Sequence, residues 1–545
     1  MFLKTMESCS PPYSLAAHLW RSYEGFCNAG VHAGFRDYVT RQINAILWVS
    51  LIAITYLLFR KVTKLFGLWS KAKLIPGLPC PSFYGHSKLL SGANFTDILS
   101  KPHQKYGPVV KLWLGPTQLL VSIKDPELIK EMLLKAEDKL PLTGRAFHLA
   151  FGRSSLFMSS FDEVQKRRHL LASELNGKLL ELENGTPKKI VDCVMKRIHD
   201  IGSKGSLDCK TVSQHLASTF LGATLFGDAF LAWPEAIIYE ELLMMIAKDA
   251  CFWASYGVIP FWKKEFWRYQ NLCAKLKSLT KDIIQQCQQN DKLHNQIDQS
   301  PHDKIRKTAE ESCGKTVSMM FHGYLTTAGL VGNILARLAQ HPELQDKIHN
   351  EVVMVRRASQ NQEQQSVGKM PFLLATVYES ARLLPAGPLL QRCSLKHDVN
   401  LKTGLTIPAG AILVVPVRLV QMDDSSWGSD ASQFNPYRFL SKTEKNSNLD
   451  DVTSFKDAPV DLGQDSYVLN DPNENDAFLP FGSGARACLG QKFAILGLTA
   501  MFASLIEQYE IRLQPGHEND PKPMMNNCVL QLLPSPKITF VKRES

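Results

Sequence analysis

The chain has 545 residues, enough for two or three ordinary domains or for one large fold. Hydrophobic residues make up 45% and charged residues 21%, which excludes an intrinsically disordered chain and allows a large buried core. The net charge of +10 suits an anionic membrane surface or an acidic protein partner; without a zinc-type cysteine pair, an RNA-binding signature or a long basic run, nucleic acid is the weakest reading.

The first predicted element is Ile43 to Phe59, seventeen residues without a charge. As a helix it spans about 25 Å, just short of a bilayer core of about 30 Å, and Arg41, Arg60 and Lys61 can snorkel to complete the span. The alternative is a buried core helix. The basic flanks and the linker that follows favour a single transmembrane anchor. Arg60, Lys61, Lys64, Lys71 and Lys73 follow it and Arg36 and Arg41 precede it, so its C-terminal side is expected in the cytosol and residues 1–42 in the lumen. Residues 60–85 read as a basic, proline-rich hinge, because Leu74 to His86 holds three prolines and two glycines and suits neither a helix nor a central strand. A globular body is expected over 86–545.

Within it, short strands are predicted at Val109–Leu114 and Gln118–Ile123, split by Gly115-Pro116. Helices are predicted at Lys166–Leu182, Ala236–Lys248, Asn271–Gln289 and Glu343–Arg356. Val317–Ala339 is apolar almost all round and should be a buried central helix, with Pro342 opening the next one. Leu405–Ile407 and Ala411–Val417 read as β, and the polar, acidic stretch 441–476 as a surface insertion. Twelve cysteines at irregular spacing, none in C-x-x-C, fit reduced cytosolic usage rather than a disulfide framework.

One cysteine stands apart. Phe481-Gly482-Ser483-Gly484-Ala485-Arg486-Ala487-Cys488-Leu489-Gly490 fits F-x-x-G-x-R-x-C-x-G at all five fixed positions. A chance match in a chain this long is on the order of one in several thousand. A haem thiolate needs a cysteine just before a helix, where backbone N–H groups and the dipole stabilise a negative sulfur. Gly484 and Gly490 let the backbone pass close to a porphyrin, Arg486 can fork onto a propionate, and Phe481 can keep water from the sulfur. The thiolate would push electron density onto iron and favour O–O cleavage. A buried structural cysteine in a Gly-rich turn is the bland alternative.

With this loop the sequence resembles the cytochrome P450 family, over roughly residues 74–540. Glu379-Ser380-Ala381-Arg382 is similar to the family's E-x-x-R, and Phe434-Asn435-Pro436-Tyr437-Arg438-Phe439 to its F-x-P-x-R-F segment, whose arginine joins that ion pair. The resemblance implies a mainly α fold with small β-sheets, the cytochrome P450 fold, here behind a single N-terminal transmembrane helix. It implies haem b with Cys488 as the metal ligand, and Arg392 and Arg168 beside Arg486 as propionate ligands. It also implies an endoplasmic reticulum membrane, NADPH-cytochrome P450 reductase and cytochrome b5 as electron donors, and a lipophilic small molecule as substrate. By the same resemblance, Phe147, Phe151, Trp253 and Phe261 are candidate substrate walls. Lys166, Arg167 and Lys492 are candidate donor-docking charges. For the run Cys251–Trp267, an interfacial dip into the membrane and core packing are equal readings.

The family's A/G-G-x-D/E-T-T/S appears here as His322-Gly323-Tyr324-Leu325-Thr326-Thr327. Gly323 keeps room for oxygen and Thr326 the hydroxyl that holds dioxygen or water. Leu325 replaces the proton-delivering acid. His322 is the candidate relay in its place, since an unperturbed imidazole titrates near neutrality; a packed, hydrogen-bonded histidine is the other reading. Val164 replaces the tryptophan of W-x-x-x-R, so Arg168 would hold its propionate without an indole beside it. The expected activity is a monooxygenase fed by NADPH-derived electrons. The alternatives are a haem-thiolate isomerase, dehydratase or lyase that does not use dioxygen, or a haem-binding protein without turnover.

Overall fold

The computed structural model describes residues 33–80, 84–86, 95–135, 149–150, 172–173, 175, 177, 186–202, 207–254, 260–295, 309–359, 367–385, 389–392, 395–442, 467–484, 487–516 and 536–544. The chain divides into two units, 1–70 and 71–545.

In the first unit lies most of α1 (Ala33–Ala72), whose stretch from residue 38 to 64 is open along nearly its whole surface. Its most apolar window has a mean hydropathy of 1.8, long and apolar enough to cross a membrane. The helix runs through the basic flank as far as Ala72, so the irregular hinge starts at Lys73 rather than at residue 60. Lysines and leucines after Phe59 are good helix formers and nothing before Pro76 breaks the run.

In the second unit, Lys111 caps the end of α1, its Nζ donating to the carbonyl of Ala72 at 2.7 Å. The Lys111 backbone N–H donates to Pro76 at 2.8 Å, which docks the hinge on the first strand. Then come α2 (Phe95–Tyr106), β1 (Val109–Leu114), β2 (Gln118–Ile123) and α3 (Pro126–Lys135). β1 and β2 form a hairpin in register Val109 to Ile123, and Gly115 supplies the positive φ (70°) at its turn. They are followed by α4 (Thr186–Gly202), α5 (Cys209–Phe226), α6 (Ala236–Ala254), α7 (Lys264–Asn295), α8 (Ala309–Gln340), α9 (Pro342–Ser359) and α10 (Pro371–Leu383). β3 (Leu389–Arg392) and β4 (Ile412–Pro416) complete a four-stranded sheet in the order β1-β2-β4-β3. β5 (Leu440–Lys442) pairs with β6 (Tyr467–Leu469), which closes the base of the polar insertion; residues 443–466 lie outside the described ones. α11 (Gln491–Gln508) and the β7 (Tyr509–Leu513) and β8 (Lys537–Lys542) pair end the fold.

The core is built around α8. Two glycines let α5 lie close against it. A Cβ on Gly332 would stand 3.3 Å from Ser213 Oγ, and one on Gly323 3.2 Å from Leu221 Cδ1. At the next joint, buried Gln345 of α9 donates to the carbonyls of Leu338 and Ile511 and accepts from the N–H of Ile511 at 2.7 Å. α10 begins at Pro371 without a capping side chain of its own. Glu351 of α9 takes that role, accepting from the N–H groups of Phe372 (2.9 Å) and Leu373 (3.0 Å). Asn333 of α8 donates to the carbonyl of Ser380, so α10 is fixed from both sides.

Candidate functional site

The support of the site is a buried ion-pair network on α10. At spacing i, i+3, Arg382 meets Glu379 in a two-pronged pair of 2.7 and 2.8 Å, both side chains fully buried. Arg438 joins Glu379 at 3.1 Å and reaches Asp430 at 3.0 Å. Arg382 also donates to the carbonyls of Ala431 (2.7 Å) and Gln433 (3.2 Å) and lies over the ring of Trp427. Two cations around one carboxylate, with carbonyls taking the remaining N–H groups, leave little charge unpaired in the interior.

The network reaches the cysteine loop through Gln421, a residue that sequence reasoning missed. This fully buried glutamine donates to the Arg382 carbonyl at 2.6 Å and accepts from the N–H of Leu479 at 2.9 Å. Leu479 in turn opens the loop, accepting from Gly482 at 3.0 Å. Ala487 donates to Gly484 at 3.0 Å and Cys488 to Phe481 at 2.7 Å, so the loop folds back on itself and closes at the cysteine. Gly482 and Gly484 stand at φ 71° and 72°. A Cβ on Gly484 would also lie 3.0 Å from the Leu133 carbonyl of α3, so this glycine is required by its backbone and by its neighbour together. Phe481 packs on the core and Gly490 directly precedes α11.

Cys488 carries no disulfide and its side chain is exposed. Cysteine is among the most buried residue types, so an exposed one held in a hydrogen-bonded loop two residues before a helix cap is a candidate ligand. The unsatisfied N–H groups of the first turn of α11 lie C-terminal to it, the arrangement that favours an anionic sulfur.

A second candidate surface is read from α8. Every residue from Val317 to Leu335 is buried except Met319, His322, Gly323 and Thr326. These four are spaced i, i+3, i+4 and i+7, one stripe along one face. His322 is the most open of them, yet protein surrounds it densely at longer range. We take a side chain with both properties to face an internal cavity. Thr326 Oγ donates to the carbonyls of His322 (3.0 Å) and Gly323 (3.2 Å), leaving its lone pairs to accept from a group in the cavity. Leu325 is turned into the core at 4% exposure, so the missing acid is not replaced at its own position.

The structure alters two expectations. The absent side chain of Gly323 would point at Leu221, so this glycine serves the approach of α5 as well as the cavity. His322 does not keep a near-neutral titration, because desolvation lowers its pKa to about 4 and the ring is neutral at physiological pH. Arg392 ends β3 with its backbone paired to Leu413, but its side chain lies outside the described residues. Arg168, Arg486, Val164, Lys166, Arg167, Phe147 and Phe151 lie outside them altogether; Lys492 is exposed. Of the other two expected substrate walls, Trp253 is buried and Phe261 is 64% exposed.

An exposed thiol ahead of a helix, left-handed glycines beside it, and a cavity stripe bearing an imidazole and a hydroxyl form a donor set that fits a haem. The family described as Cytochrome P450 matches residues 75–540 of the chain. Similar proteins include 11-oxo-beta-amyrin 30-oxidase of Glycyrrhiza uralensis, 28% identical over 78% of this chain and 80% of its own length. Cytochrome P450 714B2 of Oryza sativa subsp. japonica is 25% identical over 77% of this chain and 75% of its own. Cytochrome P450 3A31 of Mesocricetus auratus is 25% identical over 90% of this chain and 96% of its own. Loop, buried network and matched length together place the chain in the cytochrome P450 family of oxidoreductases, which bind haem b through a cysteine thiolate.

Proposed function

We propose that the protein is a membrane-anchored monooxygenase that uses dioxygen and NADPH-derived electrons to oxidise a lipophilic small molecule. The observation that carries this reading is the stripe on α8, where the stretch Val317–Leu335, otherwise buried, opens at Met319, His322, Gly323 and Thr326 and presents a hydroxyl. Cys488 is the iron ligand, and Arg486, Arg392 and Arg168 hold the propionates. When bound, the haem supplies the oxygen-splitting chemistry.

The chain's own residues manage protons and water. Thr326 spends its own hydrogen on the helix and accepts from a cavity water, so it orients that water without being the proton source. Leu325 has no proton to give, and His322, neutral, passes a proton only as a donor–acceptor within a water chain. Protons therefore reach the site by solvent, and coupling of electron use to product is expected to be modest. A lipophilic substrate is in keeping with a relative named for oxidising 11-oxo-beta-amyrin.

α1 inserts in the endoplasmic reticulum membrane with the catalytic body in the cytosol, on the side where Arg60, Lys61 and Lys64 lie. NADPH-cytochrome P450 reductase and cytochrome b5 are the electron donors. Aromatic residues at the end of α6, at the start of α7 and between them give a second membrane contact: Phe252, Phe261, Trp262 and Trp267 are all more than half exposed, while Trp253 and Phe266 of the same run are core.

Burial of Leu325 favours one further reading, an isomerase, dehydratase or lyase acting on an already oxidised substrate. Reconstitution of the full chain with reductase in vesicles separates the two. The monooxygenase consumes NADPH and dioxygen in step with product. Product formed without reductase and under argon establishes the second reading instead.

A further inference from the structure

Buried threonines within the helices mostly spend their hydroxyls in one way. Thr224 of α5, Thr280 of α7, Thr376 of α10 and Thr499 of α11 each donate to the carbonyl one turn back, at 2.7 to 2.8 Å. Thr219 of α5 is fully buried as well, yet its hydroxyl makes no hydrogen bond. The hydroxyl of Tyr324 on α8 is also buried and also makes none. A buried hydroxyl left in that state destabilises the fold unless something else accepts its proton.

An acceptor short of donors belongs to the same part of the core. Glu240 of α6 is buried, and its one hydrogen-bond partner among the described residues is His215 of α5, whose Nδ1 stands 3.1 Å from both carboxylate oxygens. A carboxylate can accept about four hydrogen bonds, so this one has capacity to spare.

Helix packing brings the three groups to one junction. Ser213 lies against Gly332 and Leu221 against Gly323, so this stretch of α5 runs antiparallel along α8. His215 and Thr219 fall within it, one turn apart and on one face of α5. His215 ties Glu240 of α6 to that face. Tyr324 directly follows Gly323 on α8. Burial, with the charge of Glu240 adding to it, raises the pKa of the Tyr324 phenol, so the hydroxyl keeps its proton and feels the carboxylate. Two unspent donors and one acceptor with spare lone pairs thus converge without a direct bond, and a bridging water satisfies that arrangement.

We propose that Thr219, Tyr324 and Glu240 hold a buried water molecule where α5, α6 and α8 meet, a site separate from the open stripe of α8. The water accepts from the two hydroxyls and donates to the carboxylate, and no charge moves. Three partners are the usual number for an internal water. One molecule then joins three helices at a point where their side chains leave polar groups unjoined. The site uses no haem ligand, so it stands independently of the oxygenase reading.

The test applies brief X-ray radiolysis to the full-length, haem-loaded protein, since a buried tyrosine is oxidised by this means through water held against it. Tyr239 is the dry control: it is fully buried and its hydroxyl pairs with Thr280 at 2.9 Å. Tyr324 is expected to be oxidised several-fold faster than Tyr239 in the wild type, and Thr219→Val to bring it toward the Tyr239 rate. Equal rates in the wild type overturn the proposal. Urea unfolding gives an independent check. Tyr324→Phe and Thr219→Val each remove one partner of the water, so each should lower the midpoint, and the double variant should lose less than the sum. A dry site gives the opposite sign, because each variant then removes an unpaired hydroxyl; midpoints that stay or rise therefore also overturn the proposal.

Discussion

Gln421 is the residue on which haem retention should depend most without touching the haem. It links the Arg382 carbonyl to the N–H of Leu479, across 39 and 58 residues of sequence. Gln421→Ala orphans both groups in the interior, at about 1–3 kcal/mol each. Urea unfolding should show that loss, and haem titration a weakened holoprotein; unchanged stability would mean that water replaces the amide. No sequence pattern marks this glutamine, because both of its partners are brought to it by the fold. The cysteine loop is the opposite case. Its five fixed residue types serve one local task, so Cys488 is legible at once. Gly484 was legible as a glycine but for half of its reason only. Its φ of 72° and the Leu133 carbonyl at 3.0 Å mean that Gly484→Ala meets strain and a close contact together, with about 1–2 kcal/mol from the left-handed backbone alone. A lowered melting temperature of the apoprotein checks this without any assay of activity.

The expected helices within the described residues were read correctly in kind and short in length; Lys166–Leu182 lies mostly outside those residues. The periodic stretch Asn271–Gln289 sits within α7, which starts at Lys264 and ends at Asn295. Its C-terminal end is polar and carries no apolar stripe, although its lysine and glutamines sustain a helix, and its N-terminal turns carry Phe266 and Tyr269 into the core. The capping of α10 by Glu351 was invisible to sequence, since the carboxylate comes from the preceding helix. Burial raises its pKa to about 8, with the Phe372 and Leu373 N–H groups pulling the other way. The folded state thus holds a proton there that the unfolded chain releases near the ordinary carboxyl value of 4.5. Stability from this group is present below that value and declines as pH rises toward about 8. Urea midpoints of wild type should fall between those pH values more steeply than those of Glu351→Gln. Parallel profiles would show that the carboxyl is charged throughout.

At the scale of the whole molecule, the proposal gives membrane association two sources. α1 supplies the long apolar surface, while the exposed aromatic chain at Phe252, Phe261, Trp262 and Trp267 belongs to the globular unit. Protein lacking residues 1–70 should still sediment with anionic vesicles, and Phe261→Ala/Trp262→Ala/Trp267→Ala in that background should release it. A truncated protein that stays in the supernatant would confine membrane contact to α1. The anchor and the α-rich body were both legible in sequence. What sequence did not carry was the cavity, because it appears only when four residues of α8 stay open in a helix otherwise sealed by its neighbours.

The central claim is that Cys488 binds haem iron as a thiolate, and it is tested most directly by the carbon-monoxide difference spectrum of the reduced full-length protein beside Cys488→Ser. The account predicts a strongly red-shifted Soret band in the wild type that is lost in the variant. Folded wild-type protein that binds haem without that band, or a variant that keeps it, would contradict the account.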